Sequence, residues 1–362
     1  MSVRPIVFGL GTRPEIIKCA PVVHELARRG APVRVLHTGQ HYDRALDAVF
    51  CEELELVIDE NLGIRRDHAP TRLGEIVTAG AIALARWAPA WVVVQGDTVS
   101  ALGCALAARE LEIPVVHLEA GLRSHDWRMP EEGNRALIGR LAALHLCPTA
   151  TQAALLEQEN IVRGVHVVGN TVVDAVLGAR DRARTKSRIR ERLGLGRYAL
   201  VTLHRPSNVD GGPRLCEVLS GLTRVALDLE LTLVWPMHPR ARHLLPNGLN
   251  LPWATIEAIG YLDCQQLLAN AEVVFTDSGG LQEEACVLGV PCVTLRNRTE
   301  RPETVDVGAN VLCYNATPQA LHAALRAHAK SWSCPFGDGR TAARVADLLL
   351  SAETARRPSG ER

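Results

Sequence analysis

Short runs of β-branched residues recur along this chain, each ending in a polar or glycine-bearing turn that leads into an alanine- and leucine-rich stretch. The runs are RPIVFGL, VRVLHT, WVVVQG and PVVHLE, and later ALVTLH, LTLVWP, ATIEAI, EVVFTD and VPCVTL. The stretches between them, such as PEIIKCAPVVHELARR and VSALGCALAARELE, read as helices. Apolar strands that alternate with helices predict parallel sheets covered on both faces. There are too many strands for one compact sheet, and they fall into two groups. A charged helical stretch, VVDAVLGARDRARTKSRIRERLGLGRY, interrupts the rhythm between the groups. The expectation is an α/β chain with a Rossmann-like domain over 1–171, a connecting region over 172–197 and a second Rossmann-like domain over 198–340.

The carboxyl ends of these strands are unusually rich in polar and small residues. In open α/β sheets, ligands bind beyond such ends. Here they read GLGTRPEIIK, TGQHYD, QGDT and HLEAGLR, with MPEEGNR close behind. In the second half they read HRPSN, HPR, TDSGG and RNRTERPE. Together they describe a cleft between two sheets. Arg13, Lys18, Arg205, Arg296 and Arg301 supply cations, and TDSGG opens a helix at Ser278, Gly279 and Gly280. A helix N-terminus flanked by guanidinium groups suits a diphosphate. The bland reading of each arginine alone is a surface ion pair, and of the paired glycines a close approach of helix to strand.

The same cleft is expected to hold acids: Asp97, Glu119, Glu131 and Glu132, with His204 from the second domain. Carboxylates among cations can serve as general acid and base, tuned by burial and neighbours. No pair of residues has metal-ligand spacing, so no metal is expected, and a lone His117 beside a strand reads as a satisfied core residue. GLGTRP resembles a dinucleotide fingerprint only in part, because Pro14 stands where the third glycine belongs. No nicotinamide, flavin or other cofactor is expected. The ten cysteines include no CxxC pair and read as reduced thiols used as small hydrophobes. A net charge of zero gives no reason to expect a nucleic acid partner. No apolar run reaches the roughly 20 residues of a membrane span, and no signal core precedes the first strand, so a cytoplasmic protein without membrane contact is expected.

GTRPEIIK, TGQHYD, QGDT, HLEAGLR, MPEEGNR, HRPSN and DSGGLQEEA…LGVPC…TERPE occur in this order across nearly the whole chain. In this they resemble the non-hydrolysing UDP-N-acetylglucosamine 2-epimerases. The resemblance implies a glycosyltransferase-B type fold, two Rossmann-like domains facing a central cleft, with a helix in 341–362 packing back on the first domain before a frayed tail. It implies a homodimer that interconverts UDP-N-acetylglucosamine and UDP-N-acetylmannosamine for polysaccharide synthesis. UDP is eliminated to a 2-acetamidoglucal and re-added, with a proton delivered to the other face of C2. By the same resemblance Ser278, Gly279 and Gly280 hold the diphosphate, and Glu284 accepts from the ribose hydroxyls. Arg13, Lys18 and Arg301 neutralise the phosphates. Asp97, Glu119 and Glu131 fall at the acid/base positions, and His204 near the phosphates. Which acid serves which face stays open. Domain closure is expected to exclude water from the intermediate.

The chain departs from the family pattern at three places. It reads Gln40-His41-Tyr42-Asp43-Arg44 where many members have QHREM, and His204-Arg205-Pro206-Ser207-Asn208 where many have HRREN. A regulatory second substrate site is therefore not expected. Cys264 stands where a phenylalanine often lies near the uracil, which loosens nucleobase choice. Epimerases of CDP-glucose or of a UDP-diacetamido-uronate, a retaining glycosyltransferase, a hydrolysing epimerase and a non-catalytic nucleotide-sugar sensor remain as alternatives. The ring of acids ranks the last of these lowest.

Overall fold

The computed structural model describes residues 4–39, 44–64, 68–210, 212–237 and 253–356. The segment Gln40-His41-Tyr42-Asp43, the HPR segment after the LTLVWP strand and the tail from 357 lie outside the described residues. The chain divides into two compact units, Met1–Ala175 with Phe336–Arg362, and Val176–Pro335. The first division therefore falls inside one continuous helix, Thr171–Lys186. The stretch expected as a connection is thus mostly regular helix, continued by the short turn Ile189–Arg192.

The first unit holds strands β1 (Ile6–Leu10), β2 (Val33–His37), β3 (Glu60–Asn61), β4 (Trp91–Gln95), β5 (Val115–Leu118), β6 (Leu144–Cys147) and β7 (Val165–Val167). All pair in parallel, in the order β3-β2-β1-β4-β5-β6-β7. The central strands β1 and β4 are buried along their whole length, whereas the edge strands β3 and β7 hold no buried residue. That gradient accounts for the plain apolar runs at β1 and β4, although β6, buried at three of its four residues, is broken by His145 and carries no such run. Strands covered on both faces become apolar runs, and short edge strands need no such signal. The strands β3, β6 and β7, and β13 in the second unit, lie outside the apolar runs of the sequence.

The second unit holds β8 (Tyr198–Thr202), β9 (Thr232–Pro236), β10 (Ala254–Ile256), β11 (Val273–Thr276), β12 (Cys292–Thr294) and β13 (Asn310–Leu312). These too pair in parallel, in the order β10-β9-β8-β11-β12-β13. Along β8, Ala199 and Val201 enter the core on one face, and Tyr198 and Leu200 enter the core on the other. Period-two alternation here separates two cores, both apolar, rather than core from water.

Each unit thus repeats the doubly wound 3-2-1-4-5-6 order. The strand order reverses between β1 and β4 in the first and between β8 and β11 in the second, which opens a crevice at the carboxyl ends of those strands. The glycines of GLGT serve packing at the first crevice. A Cβ on Gly9 would lie 2.6 Å from Cys104 Sγ, and one on Gly11 would lie 2.0 Å from Thr38 Oγ1. The helix Val99–Glu110 can therefore press against β1. The last helix, Thr341–Arg356, belongs to the first unit. Its first amides, Thr341 N and Ala342 N, donate to Asp174 at 3.2 and 2.9 Å, and Arg29 pairs with its Asp347. Six of the ten cysteines are buried, and all are free thiols. Burial pushes Cys104, Cys147 and Cys292 up to about 12, consistent with thiols used as small apolar side chains.

This packing makes two stability outcomes measurable. A Cβ on Gly221 would sit 1.8 Å from the Ala316 carbonyl oxygen. Gly221→Ala is expected to cost about 1–3 kcal/mol, read as a lower denaturant midpoint in urea. Glu300 is buried and accepts from Arg296 Nη1 and Nη2 at 3.0 and 2.7 Å. Burial opposes its charge, but the Arg296 contacts outweigh this and hold its pKa at about 2. That contribution is full above the ordinary carboxylate range and is lost as pH falls towards about 2. Glu300→Gln is expected to be less stable than wild type at pH 7. Urea unfolding curves of the two should draw together between about pH 4.5 and 2.

Candidate functional site

In the first unit, the candidate residues gather at the reversal point between β1 and β4. Glu15, fully buried in the first turn of helix Arg13–Arg28, accepts from Gly11 N at 2.9 Å and from Thr98 Oγ1 at 2.6 Å. Thr98 in turn caps helix Val99–Glu110 by accepting from Ala101 N at 2.9 Å. One turn beyond Glu15, Lys18 forms a buried ion pair with Glu119, the residue after β5. Glu119 has φ 65°, a left-handed backbone rarely adopted by a non-glycine residue. Such an outlier at a strand end costs conformational energy and persists only where its surroundings hold it. Arg13 lies beside Asp47, with its guanidinium 5.6 Å from the centre of the Phe50 ring.

Asp97, which follows β4, is held from helix Pro130–Leu141. Arg135 donates to its carboxylate, and Asn134 Nδ2 donates to its carbonyl at 2.8 Å. The other guanidinium arm of Arg135 donates to Glu132 at 3.0 Å. Glu132 accepts from Ser124 N and Oγ at 2.8 Å each and from His125 N at 3.0 Å. Burial opposes its charge, yet these donors together hold its pKa below the usual carboxylate range. The two adjacent glutamates therefore do different things. Glu132 is a buried anchor of the loop before its helix. Glu131 is exposed, and its carboxylate has no hydrogen bond or ion pair among the described residues.

His117 is a core residue that shapes the crevice from beneath. Its Nε2–H donates to the Gly96 carbonyl at 2.8 Å, fixing the QGDT turn. Burial pushes its pKa down to about 4, so it is neutral at physiological pH. Among the described residues no group of three or more His, Cys, Asp or Glu side chains could hold a metal ion.

In the second unit, the candidates gather at the β8/β11 reversal point around Asp277. This carboxylate is fully buried and accepts from His204 N, Arg205 N and Asn208 Nδ2, all between 3.0 and 3.1 Å. His204 Nδ1 lies 2.8 Å from it, and the His204 side chain is 47% exposed. Arg205 Nε donates to the Asp277 carbonyl at 3.1 Å. Helix Gly279–Leu288 begins two residues later, with Ser278 at its N-cap. No heavy atom lies within 4 Å of a Cβ built on Gly279, and only Ser278 Oγ, at 4.0 Å, approaches one built on Gly280. Helix–strand packing therefore does not demand these glycines. They leave the helix start bare, so that an anion can reach its first-turn amides.

Glu283 and Glu284, on the same helix, part company. Glu283 is fully buried and pairs with Arg301, whose own amide donates to Thr299 Oγ1 at 3.0 Å. Glu284 accepts from Gln265 Nε2 at 2.6 Å. Arg296, expected as a cation of the site, is committed to Glu300, with Arg205 Nη2 3.9 Å from the same carboxylate. Arg13, Lys18, Asp97 and Glu119 thus surround one reversal point. His204, Arg205, Ser278, Gly279 and Gly280 follow β8 and β11 at the other, whereas Glu284 lies further along the helix against Gln265, and Arg301, beyond β12, pairs with Glu283. Glu15, Arg135 and Asp277 were not singled out in the sequence, although each lies inside a motif that was.

Comparison with known proteins accords with this geometry. The family model described as UDP-N-acetylglucosamine 2-epimerase matches residues 24–350. A UDP-N-acetylglucosamine 2-epimerase of Methanococcus maripaludis is 39% identical over 357 residues, covering 94% of this chain and 97% of that protein. A UDP-2,3-diacetamido-2,3-dideoxy-D-glucuronate 2-epimerase of Pseudomonas aeruginosa is 34% identical over 353 residues, covering 95% and 99%. The crystal structure of Methanocaldococcus jannaschii UDP-GlcNAc 2-epimerase, in complex with UDP-GlcNAc and UDP, matches with a TM-score of 0.89 at 38% identity, covering 96% of this chain and 99% of that one. The fold is of the glycosyltransferase-B type, and the chain belongs to the UDP-N-acetylglucosamine 2-epimerase family.

Proposed function

We propose that this protein interconverts UDP-N-acetylglucosamine and UDP-N-acetylmannosamine by elimination and re-addition of UDP. The observation that carries this reading is the buried Lys18–Glu119 pair at the β1/β4/β5 strand ends, with Asp97 held beside the same crevice, in a chain of this family. A barely acidic C2–H needs a carboxylate fixed in place and a leaving group that is already departing. In the forward half-reaction the C1–O bond breaks and its electron pair leaves with the diphosphate. The C2–H electrons form the C1=C2 bond, and the proton passes to a carboxylate. In the return, the diphosphate oxygen attacks C1 while C2 takes a proton on its other face.

Asp97, Glu119 and Glu131 are the candidate proton carriers. Ser278, Gly279 and Gly280 offer the helix start to the diphosphate, with Arg13, Lys18, Arg205 and Arg301 as cations that stabilise its growing charge. Glu284 is assigned to the ribose hydroxyls. The family reading also carries a homodimer that works in the cytoplasm and feeds polysaccharide synthesis; light scattering behind a sizing column tests the dimer. The 34%-identical diacetamido-glucuronate epimerase favours that sugar as a second reading.

The test is NMR of the purified protein with UDP-N-acetylglucosamine in deuterated water. UDP-N-acetylmannosamine carrying deuterium at C2 is the expected product. Turnover of UDP-2,3-diacetamido-glucuronate alone would shift the assignment to the second sugar, and exchange with neither would overturn it. Glu119→Gln keeps the side-chain shape and removes one of the three candidate proton carriers, the one held by Lys18. It is expected to lower kcat on the order of a hundred- to ten-thousand-fold while UDP still protects the protein against heat.

A further inference from the structure

We propose that Asp277 is a positioning residue that sets the tautomer and orientation of His204, and so presents the Nε2 of His204 to the diphosphate. This rests on the epimerase reading for its kinetic consequence, but not for its geometry. Asp277 is fully buried at the end of β11, so it cannot itself touch a ligand. Its carboxylate gathers the HRPSN segment through His204 N, Arg205 N and Asn208 Nδ2, and lies 2.8 Å from His204 Nδ1. The Arg205 guanidinium closes over the carbonyl of the same residue.

The proton between Nδ1 and Asp277 has only one place to be. Three other donors already point at the carboxylate. It stays ionised and acceptor-only, so Nδ1 must carry the hydrogen. Burial of Asp277 works against this charge, yet the contacts from His204, Asn208 and the Arg205 amide prevail. The neutral imidazole is then the Nδ1–H tautomer, with its lone pair on Nε2. When the ring is protonated, Nε2–H becomes a donor as well. Nε2 has no hydrogen bond among the described residues, on a half-exposed side chain.

The position of this pair gives it a use. β8 leads through Leu203 to His204-Arg205 and β11 leads directly into Asp277-Ser278, and these strands are neighbours at the reversal point of the second sheet. The same residue that orients His204 therefore immediately precedes the bare helix start at Ser278–Gly280. An imidazolium held there stabilises negative charge growing on the departing diphosphate, and hence acts on turnover more than on substrate binding.

The test has two arms. In 15N-histidine NMR of the full-length wild type, the signal that disappears in His204→Gln is expected to report the Nδ1–H neutral tautomer. An Nε2–H tautomer at that signal would overturn the proposal, whether or not the protein epimerises any sugar. In the second arm, Asp277→Asn is expected to lower kcat about a hundredfold with KM for UDP-N-acetylglucosamine within about threefold, and the His204→Gln/Asp277→Asn double variant to lose no more than the worse single variant. Losses that multiply, or that fall wholly on KM, would mean that Asp277 acts independently of His204. If Asp277→Asn does not fold, the tautomer of the wild type decides. Wild type that shows no turnover of any nucleotide sugar, with the tautomer as expected, would count against the epimerase reading and leave the pairing standing.

Discussion

One buried carboxylate at each reversal point holds the ends of two neighbouring strands together, and both sites are built on this. In a parallel sheet, the loops that leave β1 and β4, or β8 and β11, depart toward opposite faces. The backbone donors left at such a parting must find partners away from bulk water. In the first unit Glu15, in the first turn of the helix after β1, accepts from Gly11 N in the β1 loop and from the Thr98 hydroxyl after β4. Asp277 supplies the partner in the second, reaching from the β11 loop to the amides of His204 and Arg205 after β8. The two chains of contact run in opposite directions but solve the same problem in the same strand order.

Around these anchors, nearly every candidate cation is already engaged by an acid of its own unit. Lys18 pairs with Glu119, Arg301 with Glu283 and Arg296 with Glu300, and Arg135, outside the expected set, pairs with Asp97 and Glu132. Charges this buried would be costly alone, and each pair offsets much of that cost. The arrangement also fixes where each group points, because a guanidinium held by one carboxylate arm has little rotamer freedom left. Arg135 shows the effect most clearly: one arm grips the buried anchor Glu132, which leaves the other to hold Asp97. A list of cations read from sequence therefore overstates the free positive charge and understates how rigidly it is placed.

The sequence alone determined the class of fold, because strands buried on both faces can only be apolar runs, and β1, β4, β5, β8 and β11 are written that way. It also determined which loops carry chemistry, because polar residues and glycines crowded after strand ends are hard to explain otherwise. The motifs GTRPEIIK, QGDT, HRPSN and TDSGG all lie at the two reversal points. Short strands were legible only where an apolar run extended past them, as at β10 in ATIEAI and β12 in VPCVTL. LHLC, VHV and NVL carry too few residues for any periodicity, and the two-residue β3 carries none.

Only the tertiary structure decided which of several similar side chains does what. Glu131 and Glu132 differ in sequence by nothing that predicts their fates; helix phase turns one to solvent and the other onto the Ser124 loop. Glu283 and Glu284 divide in the same way between Arg301 and Gln265. Asp277 reads in sequence as one more small polar residue before a glycine pair, and becomes an anchor because β8 happens to be its neighbour. Sequence spacing specifies residue types along a strand or helix. The partner of a buried charge is set by which strands lie side by side, and that is a property of the folded sheet.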